Sequence, residues 1–162
     1  MTNTNMKRGF TMIELIFVIV IIGILAAVAI PKLSATRTDA KVSSLIANAK
    51  NVVGDAKQFY TSRGQADWTT AQISQVTDVP LFTDTSCTAQ AAGNTVIAAD
   101  PANKYYMCGD SGDVIEVDVN STHVEIKPGS DTTSDIAKAV QGDKVFISLQ
   151  HAHRLGGVGI KR

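Results

Sequence analysis

The chain has 162 residues, and its 15 basic and 15 acidic side chains leave it with no net charge. That balance gives no global electrostatic case for a nucleic-acid partner, which calls for a basic patch. Once an N-terminal apolar segment is set aside, roughly 100–120 residues remain, enough for one soluble domain with a modest core.

Residues 1–8 end in Lys7 and Arg8, and basic residues on this flank favour retention on the cytoplasmic side of a membrane. Gly9 follows, then Phe10-Thr11-Met12-Ile13-Glu14 leads into an apolar run that closes at Ile30-Pro31-Lys32. From Phe10 to Ile30 there are 21 residues with Glu14 as the only charge. A helix needs about 20 apolar residues to cross a bilayer core. A charge at the centre of such a helix costs roughly 2.5–3.5 kcal/mol. Glu14 therefore needs a partner, or a place at the lipid boundary. An amine freed at Phe10 would be a good partner in a low-dielectric setting. An acid four residues along a helix points away from its own N-terminus, so the amine of another copy is the better donor. Two other readings fit the same run. Leu15 to Leu25 reads as the h-region of a secretory signal cut near Ala27-Val28-Ala29, although Pro31 and the flanking acid fit this poorly. The run also reads as a plain single-pass anchor with Glu14 at the headgroups.

Gly9-Phe10-Thr11-Met12-Ile13-Glu14, continued by Ile22 to Pro31, resembles the prepilin cleavage and methylation motif of type IV pilins and of type II secretion pseudopilins. The resemblance implies a cut between Gly9 and Phe10 by a prepilin peptidase, N-methylation at Phe10, and a Glu14 that meets the terminal amine of a neighbouring subunit. It implies a single-pass precursor in the bacterial inner membrane. An inner-membrane platform protein and an assembly ATPase would then extract it into a homo-oligomeric helical filament, periplasmic or on the cell surface. It also implies an α+β fold, a long N-terminal helix packed on a small antiparallel β-meander.

Beyond Pro31 the pattern turns amphipathic. Val42, Leu45, Ile46, Ala49, Val52, Val53, Ala56, Phe59 and Tyr60 recur at steps of three and four, which marks one helical face. Lys41, Ser44, Asn48, Lys50, Asn51, Asp55 and Lys57 mark the other. Arg63-Gly64 suits a helix C-terminus. A helix from Phe10 to Ser62 would be about 80 Å long at 1.5 Å per residue. Pro31 inside it removes one backbone hydrogen bond, and Gly23 is a second weak point, so the segment between them is open to bending during assembly. The same two residues are also ordinary in membrane helices.

Residues 65–94 are polar and irregular, with a short helix expected near Thr70 to Val76 and with Trp68, Leu81 and Phe82 pinning the loop to the core. The period then changes to two. Thr95 to Ala98, Lys104 to Cys108, Val114 to Val119 and Thr122 to Lys127 read as strands, with a turn at Asn120-Ser121. Ser134 caps a helix that ends near Gly142. Val145, Ile147 and Leu149 alternate as a last strand. The domain boundaries expected are a leader over 1–9, a hydrophobic transmembrane and assembly helix over 10–31, its amphipathic continuation over 32–64, and a head over 65–162.

Cys87 and Cys108 form an even pair, and the export implied by the N-terminus favours a disulfide over two buried thiols. In the chain-entropy model such a loop closure contributes about 3 kcal/mol. Pilins commonly staple a C-terminal loop, whereas here 54 residues follow Cys108. Gly109-Asp110-Ser111-Gly112 echoes the serine-nucleophile loop of chymotrypsin-like proteases and is read as a turn. Asp110, Asp113 and Asp118 could offer oxygens to calcium, a metal that major pseudopilins carry, but their spacing is not that of an EF-hand loop and they read first as solvated turn acids. His151 and His153 would share one face of a strand, too few ligands for a metal.

The leading expectation is a structural filament subunit, not an enzyme and without a resident cofactor. A type II secretion pseudopilin is the closest alternative. A membrane-anchored periplasmic binding module comes next.

Overall fold

The computed structural model describes residues 10–98 and 103–156. Two compact units emerge, Met1–Arg37 and Thr38–Arg162.

One helix, α1 (Met12–Trp68), runs through the first unit and into the second. Its dihedrals stay helical at Pro31 and leave the helical region only at Gly64, where φ is +85°. That left-handed angle suits glycine, and it ends the long helix before one further turn carries Trp68 into the core. In the first unit every described residue is exposed except the half-buried Ala26. Among the described residues of that unit, none is buried against another part of it.

The second unit is built on the amphipathic stretch of α1. Ile46, Ala49, Val52, Val53, Ala56 and Phe59 are buried, with Val42, Leu45 and Tyr60 packed at the margins. This is the face that the three–four spacing marks. A short helix follows, α2 (Ile73–Val76), then β1 (Asn103–Cys108), β2 (Asp113–Val119) and β3 (His123–Pro128). Two more helices, α3 (Asp135–Gly142) and α4 (Lys144–Leu149), precede β4 (Ala152–Arg154). The four strands form one antiparallel sheet in the order β1-β2-β3-β4, so the meander is preserved although two helices interrupt its last connection. Tyr105, Met107, Ile115, Val117, Val119, Val124 and Ile126 point into the core, and Glu116, Asp118, Glu125 and Lys127 lie on the wetter face. One face dry and one wet is the usual condition of an antiparallel sheet. The α+β arrangement is as expected.

Two expected strands are absent. Residues 95–98 form turns, with a single bridge from Val96 to Gln72. Val145, Ile147 and Leu149 lie on α4 rather than on a strand. Asp143 Oδ1 accepts from the amides of Val145 and Phe146, so the segment begins as a capped helix and turns Phe146, not its alternating neighbours, into the core. Ser134 caps α3 as expected, accepting from Ala137 N–H at 3.1 Å, and Trp68 and Leu81 are fully buried, whereas Phe82 is only half-buried.

Candidate assembly site

Thr11 and Glu14 start α1 with a reciprocal pair of bonds. Glu14 Oε2 accepts from Thr11 N–H at 2.8 Å and from the Thr11 hydroxyl at 2.7 Å, while Glu14 N–H approaches Thr11 Oγ1 at 3.4 Å. This is a capping box, in which two otherwise orphaned helix-end donors are satisfied by each other's residues. Glu14 Oε1 makes no bond among the described residues. The carboxylate is thus half satisfied by its own chain and half open. Thr11 is the participant that the reading of the sequence missed, although Thr11-Met12-Ile13-Glu14 carries the T-x-x-E signature of such a box. Phe10 sits just ahead of it, 88% exposed, and Gly9 lies outside the described residues.

The run beyond Glu14 is apolar all round. It includes an 18-residue window of mean hydropathy 3.1 in which no residue is buried, so α1 contains a stretch long and apolar enough to cross a membrane. Contiguous apolar surface on this scale marks a membrane or a protein partner. Gly23 lies within it, and a side chain there would meet nothing within 4 Å. Pro31 follows, and its missing N–H leaves the carbonyl of Ala27 without its usual helical donor.

Elsewhere the candidates separate. Cys87 and Cys108 form a disulfide with Cα atoms 5.9 Å apart, which joins the Thr83–Ala89 turn to the end of β1. Cys87 reaches it from a left-handed backbone angle, φ +60°. Asp84 braces the same turn by accepting from the amides of Ala89 and Thr88, which holds its carboxyl below the usual carboxylate range. The three acids weighed for calcium are each engaged with a different group. Asp110 pairs with Lys41, Asp118 with Lys127 at 3.0 Å, and the buried Asp113 accepts from the hydroxyl and amide of Ser130. Among the described residues no three His, Cys, Asp or Glu gather at one point. Gly109 N–H donates to Gly112 C=O, so the serine-bearing loop is a turn. His151 and His153 do meet, with rings 4.0 Å apart, but only His153 lies in β4.

Residues 4–30 match the model of the prokaryotic N-terminal methylation motif. This segment is similar to the N-terminus of type IV pilins. The pilin-type segment also has curated relatives. The chain is 37% identical over 77 residues to a fimbrial protein of Neisseria meningitidis serogroup A, covering 46% of this chain and 45% of that one. It is 40% identical over 61 residues to the type IV major pilin protein PilE1 of Neisseria gonorrhoeae, covering 38% and 37%. With the type IV major pilin protein PilA of Myxococcus xanthus it shares 43% identity over 57 residues, covering 35% and 26%. The chain thus spans less than half the length of these relatives. No solved structure matches it.

Proposed function

We propose that this chain is a structural subunit of a type IV pilus or pilus-like filament, and not an enzyme. The observation that carries the reading is the pairing of an apolar, unburied stretch of helix with an acid at its doorway. In lipid, the apolar surface is solvated by acyl chains and Glu14 is partly satisfied by Thr11. In a filament, the same surface is covered by the helices of neighbouring copies. Glu14 Oε1 then accepts from the ammonium of an adjoining Phe10, a charge-assisted bond made in a dry setting. That ammonium exists only after a prepilin peptidase has cut between Gly9 and Phe10, so processing and assembly are one chemistry. The single-pass precursor lies in the inner membrane with Lys7 and Arg8 inside. A platform protein and an ATPase extract it into a periplasmic or surface filament. No step draws on a cofactor.

Two measurements test this. Mass spectrometry of the mature chain is expected to find N-methylated Phe10 as the first residue; a chain that starts at Ile30, or that keeps residues 1–9, overturns the reading. Glu14→Ala is expected to remain in the membrane fraction while electron microscopy of sheared surface material finds no filaments. A tether would tolerate the change, so normal filaments from this variant, or native material that never assembles, count against it.

A further inference from the structure

We propose that the head carries a binding site for a small oxyanion-bearing ligand, a phosphate or a carboxylated sugar, at the β4 edge of the sheet. The site is a cavity of about 460 Å³ lined by Tyr60, Thr122, His123, Ala152, Arg154 and Gly156. That volume lies within the range of small-molecule sites. It depends only on the head and holds whether or not the chain forms a filament.

The wet face of the sheet supplies the first argument. Lys104 pairs with Glu116 at 2.9 Å, and Lys127 pairs with Asp118 at 3.0 Å and with Glu125 at 2.9 Å. Those pairs use every acid that β2 and β3 place on that face. Arg154 stands on β4 directly opposite His123, and among the described residues no carboxylate pairs with it. Its strand neighbours have their counter-charges; Arg154 presents its planar fork to the cavity's ligand. Guanidinium prefers planar, bidentate acceptors, which are carboxylates and phosphates.

The second argument is the fixed polar wall. Asn120 Oδ1 accepts from the amides of Thr122 and His123, both at 2.9 Å, which turns its Nδ2 toward His123 Nε2 at 3.1 Å. With Nε2 accepting, the imidazole proton lies on Nδ1 and faces the Thr122 hydroxyl at 3.3 Å. These bonds fix the orientation of the imidazole ring, and Arg154 brings a guanidinium to the lining. Across the cavity the Tyr60 ring is set edge-on against the buried Trp68, with centroids 6.3 Å apart. Gly156 lies against that ring so closely that a side chain there would come within 3.2 Å of it. Tyr60 Oη makes no hydrogen bond among the described residues, so a rigid donor and an unpaired cation border one space. An oxyanion satisfies both, while the ring offers an apolar wall to a sugar.

Isothermal titration of the full chain in detergent micelles tests the site, with inorganic phosphate, galacturonate and neutral galactose as probes. Binding of phosphate, galacturonate or both is expected, with galactose silent. Arg154→Gln should raise the Kd at least tenfold at an unchanged melting temperature. Tyr60→Phe, which removes one oxygen and keeps the ring, should weaken binding several-fold. Phosphate binding alone assigns a phosphorylated ligand, and galacturonate binding alone a carboxylated sugar. No heat from either anion, equal affinity in Arg154→Gln, or galactose binding as tightly as galacturonate overturns the proposal.

Discussion

Glu14 is a charge that the chain half satisfies by itself, and the head holds polar groups tuned in the same local way. His153 is buried in β4, and its Nε2–H donates to Leu149 C=O at 3.1 Å. Burial lowers its pKa, and the nearby charges of His151 and Lys57 push it the same way, against the opposing effect of that hydrogen bond. The folded chain therefore holds the ring neutral to lower pH than the unfolded chain does. Below about pH 6.5 the unfolded state takes up a proton first, so the stability contributed by this group falls as the pH falls. Denaturant melts between pH 7.5 and 5 should show this loss, and His153→Phe should flatten the slope. A slope unchanged in the variant would assign the effect elsewhere. Gly129 illustrates a constraint of another kind. A Cβ there would lie 2.3 Å from the carbonyl oxygen of Asp113, backbone that cannot step aside. Gly129→Ala should cost about 1–3 kcal/mol or more, as overpacking does, and lower the melting temperature of the head.

At the scale of elements, what could be read in advance follows the strength of the repeating pattern. The amphipathic face from Val42 to Tyr60 was legible because nine apolar residues keep one period across five turns, and burial follows it. The strands from Lys104 to Lys127 were legible for the same reason at period two. Residues 144–149 were misread because Val145, Ile147 and Leu149 also alternate, and six residues cannot tell a strand from a helix with one buried side chain. The deciding group lies just outside the run, in the Asp143 carboxylate that caps two amides. Removing that cap returns the choice to the local pattern. Asp143→Ala should therefore cost about 1 kcal/mol and loosen α4 first, with faster amide exchange at Val145 and Phe146 than in the sheet. Equal protection in wild type and variant would show that Phe146 packing alone holds the helix. The capping box at Thr11 was legible too, as a four-residue signature, but its meaning needed the distances. The β4 cavity had no signature, because Tyr60, His123 and Arg154 are brought together by register and not by spacing.

At the scale of the whole molecule, apolar surface is divided unequally. Among the described residues, the 26 buried hydrophobic residues of the core all lie at or beyond Ile46, and none lies between Phe10 and Leu45. Among the described residues, most exposed large hydrophobics lie in Phe10–Leu33, and only Val145 and Ile147 lie in the head. A soluble monomer rarely leaves so much apolar surface to water, and the head has no need of it for its own packing. The two units thus differ in how much apolar surface they leave uncovered. A chain truncated to Thr38–Arg162 keeps the complete core, all four strands and the disulfide. It should be soluble without detergent, run as a monomer in light scattering, and melt in one cooperative transition. The full chain should need detergent or its own copies to stay dispersed. If the truncated chain aggregates or melts without cooperativity, the N-terminal segment contributes to the fold of the head, and the division between an assembly helix and a self-sufficient head is wrong.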